Sequence, residues 1–156
     1  MAKTRLTTKR RAEAPEPQAF YITTDLVVSS RTSLAPLAEA LPDAHHPLAL
    51  SGRPMARLLV VNGVSRGTAE TDCRRFIARL KALRGAALRS WRTAGRRVLD
   101  IGVQAGSATR PFEGVKLSNA TVREVASMGI QIQVTVYSPG AYDMRAPEAP
   151  KPKESA

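Results

Sequence analysis

Aromatic side chains are scarce in this chain: three phenylalanines, three tyrosines and one tryptophan among 156 residues. Its core must therefore be built from Val, Leu, Ile and Ala. The same scarcity weighs against an RNA-recognition sheet, which stacks bases on aromatics of its inner strands. Cysteine is almost absent too. Cys73 stands alone, so there is no intrachain disulfide framework and no reason to invoke an oxidising compartment. No apolar run reaches the length of a membrane-spanning helix. The N-terminus, "MAKTRLTTKRRAEAPEP", has charge but no apolar centre, so it does not read as a secretory signal. These absences point to a cytoplasmic protein. Acids are also short: 13 Asp and Glu face 24 Lys and Arg, giving a net charge of +11.

What is present suits one folded unit with two tails. The apolar fraction is 43%, enough for a real core. Residues 1–17 carry Lys3, Arg5, Lys9, Arg10 and Arg11 and read as a disordered basic tail. Residues 143–156 are Pro, Lys and Glu with nothing to bury, a second disordered tail. A single α+β domain is expected over 18–142. "AFYITTDLVVS" reads as a first strand and "SLAPLAEAL" as a short helix capped by Ser33. "PDAHHPLALSGRP" reads as loop. "ARLLVVN" reads as a strand buried on both faces. A long helix follows Thr68, with Cys73, Phe76, Ile77, Leu80 and Leu83 as its apolar stripe and Gly85 as its end. "AALRSWRTAG" is a further helix and "RRVLDIGVQ" a further strand. "KLSNATVREVASMG" is a helix capped by Ser118 and stopped by Gly129, with Val122, Val125 and Ala126 inward. In "IQIQVTVY", Ile130, Ile132, Val134 and Val136 alternate with polar residues, so one face is expected to be buried. The order β-α-β-α-α-β-α-β predicts a two-layer sandwich of about four strands with helices mainly on one face. The other face is expected to be partly open, or crossed by "GSATRPFEGV".

One local pattern imitates catalytic chemistry. Gly63-Val64-Ser65-Arg66-Gly67 lies between a strand and a helix, as a nucleophile elbow does. That elbow needs a histidine base, which in its usual fold follows the serine. Here His45 and His46 both precede Ser65, and no glycine run for an oxyanion hole is visible. A small serine hydrolase using Ser65 is therefore only a third reading, and the glycines serve as a strand-to-helix turn. His45-His46 beside Asp43 lacks the third and fourth ligands a zinc site wants. Asp100, Glu113 and Glu124 are scattered acids that the sequence does not pair. No phosphate-cradling glycine motif occurs. No catalytic residue, metal or cofactor is assigned.

The strongest nonrandom feature is electrostatic. Between residues 74 and 97 every charged residue is a cation: Arg74, Arg75, Arg79, Lys81, Arg84, Arg89, Arg92, Arg96 and Arg97. With no acid among them, salt-bridge partners are expected to be missing, and the segment reads as the contact face for an anionic macromolecule. An acidic protein surface is the leading partner. Nonspecific nucleic-acid binding by the same face and the N-terminal tail is the alternative. An exposed edge or the polar face of "IQIQVTVY" would also serve for a homodimer. Membrane insertion is not expected.

The stretches "FYITTDLVV…SLAPLAEAL", "SWRTAGRRVLDIGVQAG" and "PFEGVKLSNATVREVASMGIQIQVTVYSP" resemble a set of small uncharacterised bacterial proteins. These are similar to a broader domain-of-unknown-function family of α+β fold. The resemblance spans roughly residues 19–139 and rests on core and turn residues. It implies an α+β fold and a partner-binding or immunity-type module, and it brings no catalytic residues. Two features depart from the set: "ARLLVVN" lacks an aromatic, and the helix face and tail are more cationic. Immunity modules against basic nucleases are acidic, so the charge of +11 argues against that subtype.

Overall fold

The computed structural model describes residues 19–41, 44–45, 56–60, 67–107 and 111–139. Strand β1 (Phe20–Ser30) runs through the middle of a mixed sheet. Antiparallel neighbours flank it, β3 (Ala56–Val60) on one side and β4 (Arg96–Gln104) on the other. A two-residue strand, β2 (Ala44–His45), pairs with the outer side of β3. Strand β5 (Gln131–Tyr137) pairs in parallel with β4 and ends the sheet, giving the order β2-β3-β1-β4-β5. The connections are α1 (Ala35–Ala40), α2 (Ala69–Lys81), α3 (Gly85–Thr93) and α4 (Asn119–Ser127). This is the expected order with the short β2 added. The backbone of Ala44 and His45, read as loop, supplies it.

All four helices cover one face of the sheet. Leu37 of α1, Phe76 of α2, Trp91 of α3 and Val125 of α4 enter the same core cluster as Leu26, Leu58 and Leu99 of the strands. The long helix behaves as its spacing predicts. Thr68 accepts a hydrogen bond from the Thr71 N–H at 3.2 Å, and Cys73, Phe76, Ile77 and Leu80 are buried. Truncating a buried aromatic such as Phe76 to alanine costs about 3–5 kcal/mol. The segment 111–118 runs back on the helix side. Its Phe112, Val115 and Leu117 pack against that core and not across the other face.

Several local expectations are corrected. Strand β3 is not buried on both faces: Leu58 and Val60 are buried while Arg57 and Leu59 are half-buried, as suits a strand covered on one side. Gly85 does not close α2, which ends at Lys81. It opens α3 with a φ of +52°. Helix α4 is rotated from its expected setting, burying Thr121 and Val125 and leaving Val122 and Ala126 exposed. Gly129 does stop α4. At φ +66° its N–H bonds to the Ala126 carbonyl, and the Ile130 N–H reaches back to Val125. This is the six-to-one closure that a left-handed residue permits, sealed by contact of buried Ile130 and Val125 with the core. The apolar row of β5 is the largest departure, because Ile132, Val134 and Val136 are exposed.

Two carboxylates in the first turn of α2, where the helix dipole favours acids, do more than serve that dipole. Asp72 is fully buried, accepts a hydrogen bond from the Tyr21 hydroxyl and lies 3.4 Å from Arg75 Nη1. Having donated to Asp72, Tyr21 is left to accept from Thr24 Oγ1 at 2.8 Å. Burial, then the bond to Asp72, raises the phenol well above its ordinary pKa. Glu70 joins α2 to the start of α4. It accepts from the Ser118 N–H at 2.9 Å, the Ser118 hydroxyl at 2.9 Å and the Thr121 hydroxyl at 2.8 Å, and Arg74 Nε sits 2.7 Å away. The bond from the Ser118 amide, with Thr121 next, holds the Glu70 carboxyl down at about 2. A depressed carboxyl stabilises the fold above its ordinary value of 4.5 and loses that contribution as pH falls towards about 2. Glu70→Gln should therefore lower the Tm at neutral pH, and the gap to wild type should close steadily below pH 4.5 in a thermal melt series.

Candidate anion-binding groove

The nine cations of the 74–97 segment do not form one face. On α2 they are held within the fold. Arg74 pairs with Glu70 at 2.7 Å, Arg75 with Asp72 at 3.4 Å, and Lys81 with Glu124 of α4 at 3.0 Å. Arg79 is half-buried and its Nη1 is shielded from solvent. The expectation that salt-bridge partners are missing is thus overturned for Arg74, Arg75 and Lys81. Their partners lie outside the acid-free window: Glu70 and Asp72 at helical spacing before it, and Glu124 on a neighbouring helix.

Three of the remaining cations, Arg84, Arg92 and Arg97, cluster where three helices end. Arg84 follows α2 and donates through Nη1 to the carbonyls of Lys81 and Leu83, both at 2.8 Å. Arg97, near the start of β4, donates to the Trp91 carbonyl from Nε at 3.1 Å and from Nη2 at 2.9 Å, and to the Arg92 carbonyl at 3.0 Å. Its guanidinium carbon stands 4.9 Å from the centroid of the Trp91 ring. These arginines satisfy the orphan carbonyls and negative dipole ends of α2 and α3. The third end is α4, where a Cβ added at Gly129 would come within 3.0 Å of Arg97 Nη1. Glycine is thus favoured there for its φ, and a side chain would also press on the guanidinium beside it. Burial lowers the Arg97 pKa from its ordinary value, yet a guanidinium remains charged at neutral pH.

Between these ends lies a groove of ≈ 500 Å³. Arg84, Arg92 and Arg97 line it with Lys81. Leu80, Leu83, Leu88, Trp91 and Met128 supply apolar wall, and no carboxylate among the described residues lines it. A second hollow, of ≈ 350 Å³, lies between α2 and α4 and contrasts with it. There Glu124 faces Arg74 and Lys81, so the charges are balanced. Arg89 lies exposed on α3 without an ion-pair partner among the described residues. Arg96 is also exposed, on the sheet face that the helices leave bare. It is opposite Ser29, which Arg57 opposes from the other side. The structure thus brings Arg84, Arg92, Arg97 and Lys81 to one groove; Lys81 also borders the hollow that Arg74 lines, while Arg75, Arg79, Arg89 and Arg96 line neither.

The other candidates are not assembled into a site. Gly63, Ser65 and His46 lie outside the described residues, as do both tails, and nothing is described of the His45 side chain. Among the described residues no three His, Cys, Asp or Glu side chains gather as metal ligands. Asp100 accepts from Thr135 Oγ1 at 2.7 Å and from Gln133 at 3.4 Å, far in the chain from the pair made by Glu124, while Glu113 is exposed. Asp25 stands directly opposite Asp100 across β1 and β4, a like-charge pair that sequence reasoning missed because only the strand register makes it. Cys73 is buried, and burial, followed by Glu70 and Asp72 nearby, pushes its thiol up to about 11. No helix among the described residues is long and apolar enough to cross a membrane. No protein-family model, curated protein or solved structure matches the chain.

Two outcomes follow from this geometry. Arg97→Lys keeps the charge but loses the planar fork and the stacked contact, and should cost about 1–3 kcal/mol in urea unfolding. Cys73 should resist Ellman's reagent at pH 8 in the folded protein and react at once when unfolded.

Proposed function

We propose that this α+β domain is a non-catalytic binding protein that receives an acidic segment of a partner protein in the groove between α3 and the C-terminal ends of α2 and α4. The observation that carries the reading is the composition of the groove wall among the described residues: four cations, no carboxylate, and five large apolar side chains. Phosphate backbones make no use of an apolar wall, whereas a peptide carrying acidic and aliphatic residues engages both parts. Arg84 and Arg97 are already held by helix carbonyls, so little side-chain entropy remains to be lost when they meet an anion. The net charge of +11 adds long-range steering towards acidic surfaces. The resemblance to a set of small uncharacterised bacterial proteins, which implies a partner-binding module, is compatible with this role.

The test is fluorescence anisotropy with a labelled peptide of alternating Glu and Leu, and with random-sequence DNA and RNA, each across a salt series. The Arg84→Glu/Arg92→Glu variant should bind the peptide at least about tenfold more weakly, which corresponds to about 1.4 kcal/mol. Arg123→Glu, an equal charge change per residue on the exposed side of α4, should alter it far less. Equal peptide affinity for the double variant and wild type would remove the groove from consideration. Nucleic-acid binding with a steep salt slope, alongside no peptide binding, would replace the acidic-protein reading with the nucleic-acid one.

A further inference from the structure

Strand β5 is the one long strand that the sheet leaves with an unpaired side among the described residues. Edge strands are normally guarded by a lysine, a proline, a bulge or shortness. β5 has none of these. It is seven residues long, reads "QIQVTVY", and pairs with β4 in unbroken register. No charged residue occurs anywhere between Glu124 and Asp143, in a chain that is 24% charged. The apolar side chains of the strand are 38%, 50% and 65% exposed at Ile132, Val134 and Val136.

The backbone adds a second observation. The Tyr137 carbonyl accepts from the Ala105 N–H at 2.9 Å, so it points towards β4. In a parallel pair the N–H and C=O of one residue face the same neighbour, and the direction alternates along the strand. Gln131, Gln133, Thr135 and Tyr137 therefore bond inward to β4. Ile132, Val134 and Val136 turn their N–H and C=O groups outward. The residues with exposed apolar side chains are those with open backbone groups.

We infer that β5 pairs antiparallel with β5 of a second copy of this chain, about a twofold axis through Val134. In that register Ile132 of each copy opposes Val136 of the other, and Val134 opposes itself. All three outward pairs exchange both of their backbone hydrogen bonds. The apolar row then continues across the axis on the helix side of a sheet running through both copies. On the opposite side Gln133 meets Thr135 and Gln131 meets Tyr137. A slip of one residue would set apolar side chains against polar ones. Self-complementarity selects a second copy: about this axis the apolar row of the strand meets its own apolar row, with no like charges facing each other at the seam. Two chains of net charge +11 repel through most of their surface, and β5 is the uncharged and self-complementary exception. This inference is independent of the groove.

Sedimentation equilibrium of the full chain tests it. The expected result is a species of twice the 16.8 kDa chain mass that dissociates on dilution. Val134→Lys places two ammonium groups opposite each other on an already exposed site. It should give monomer with unchanged circular dichroism. The register is read with cysteine variants, since the native Cys73 is buried. Residues facing each other in a hydrogen-bonded pair have Cα atoms about 5.5 Å apart, within disulfide range. Val134→Cys should therefore cross-link to a covalent dimer under oxidised glutathione. Ile132→Cys should not, because its two copies would lie about 13 Å apart along the strands. A wild-type chain that stays monomeric up to millimolar concentration overturns the proposal. So does a Val134→Lys variant that stays dimeric, or cross-linking that is equal at the two positions.

Discussion

A central strand that the helices cover on one side sets the terms for this domain. β1 presents Leu26 and Val28 to the helices and Asp25 and Ser29 to the other side. Every neighbour inherits that division through the ladder. Leu99 and Ile101 of β4 fall on the helix side with Leu58 and Val60 of β3, while Asp100 and Arg96 fall opposite. Four helices are enough to cover the apolar rows of β1, β3 and β4. They are not enough to cover β5, one strand further out. The exposed valines are therefore a consequence of layer width and not of a weak strand.

The helix layer has its own constraint, which is the satisfaction of helix ends. Glu70 serves the N-terminus of α4, meeting Ser118 and Thr121 with its carboxylate. Arg84 and Arg97 serve the C-termini of α2 and α3. Acid at one kind of end and base at the other is what the macrodipole favours. The same arrangement separates the charges in space. Cations collect where the helices finish, and of those lining the groove only Lys81 meets an acid among the described residues, Glu124. A groove rich in arginine thus arises from ordinary capping, before any partner is considered.

Much of this was legible in the sequence because it is local. The buried stripe of α2, the caps at Thr68 and Ser118, the stop at Gly129 and the bounds of β4 all follow from spacing and from single residues with strong backbone preferences. The illegible parts are those that depend on what lies across the fold. Lys81 meets Glu124 only because α2 packs on α4, so a run of cations without acids looked unpaired when part of it was paired. The alternation in β5 was read correctly as a strand and incorrectly as buried, since period two says which residues share a face and nothing about whether that face has a neighbour. The rotation of α4 has the same origin: Thr121 is drawn inward by Glu70, a residue on another helix. Trp91 and Arg97 sit on either side of a helix-to-strand turn, where no periodicity rule pairs them.

The stack of Arg97 on Trp91 carries one more consequence. Trp91 is the sole tryptophan of the chain, and it lines the cationic groove beneath a guanidinium. Its emission therefore comes from a single place, and that place is the one where an anion would arrive. Any group that draws Arg97 off the indole, or dries the wall beside it, changes the surroundings of the only indole in the molecule. The groove thus carries its own optical reporter, and occupancy can be followed in the unlabelled native protein.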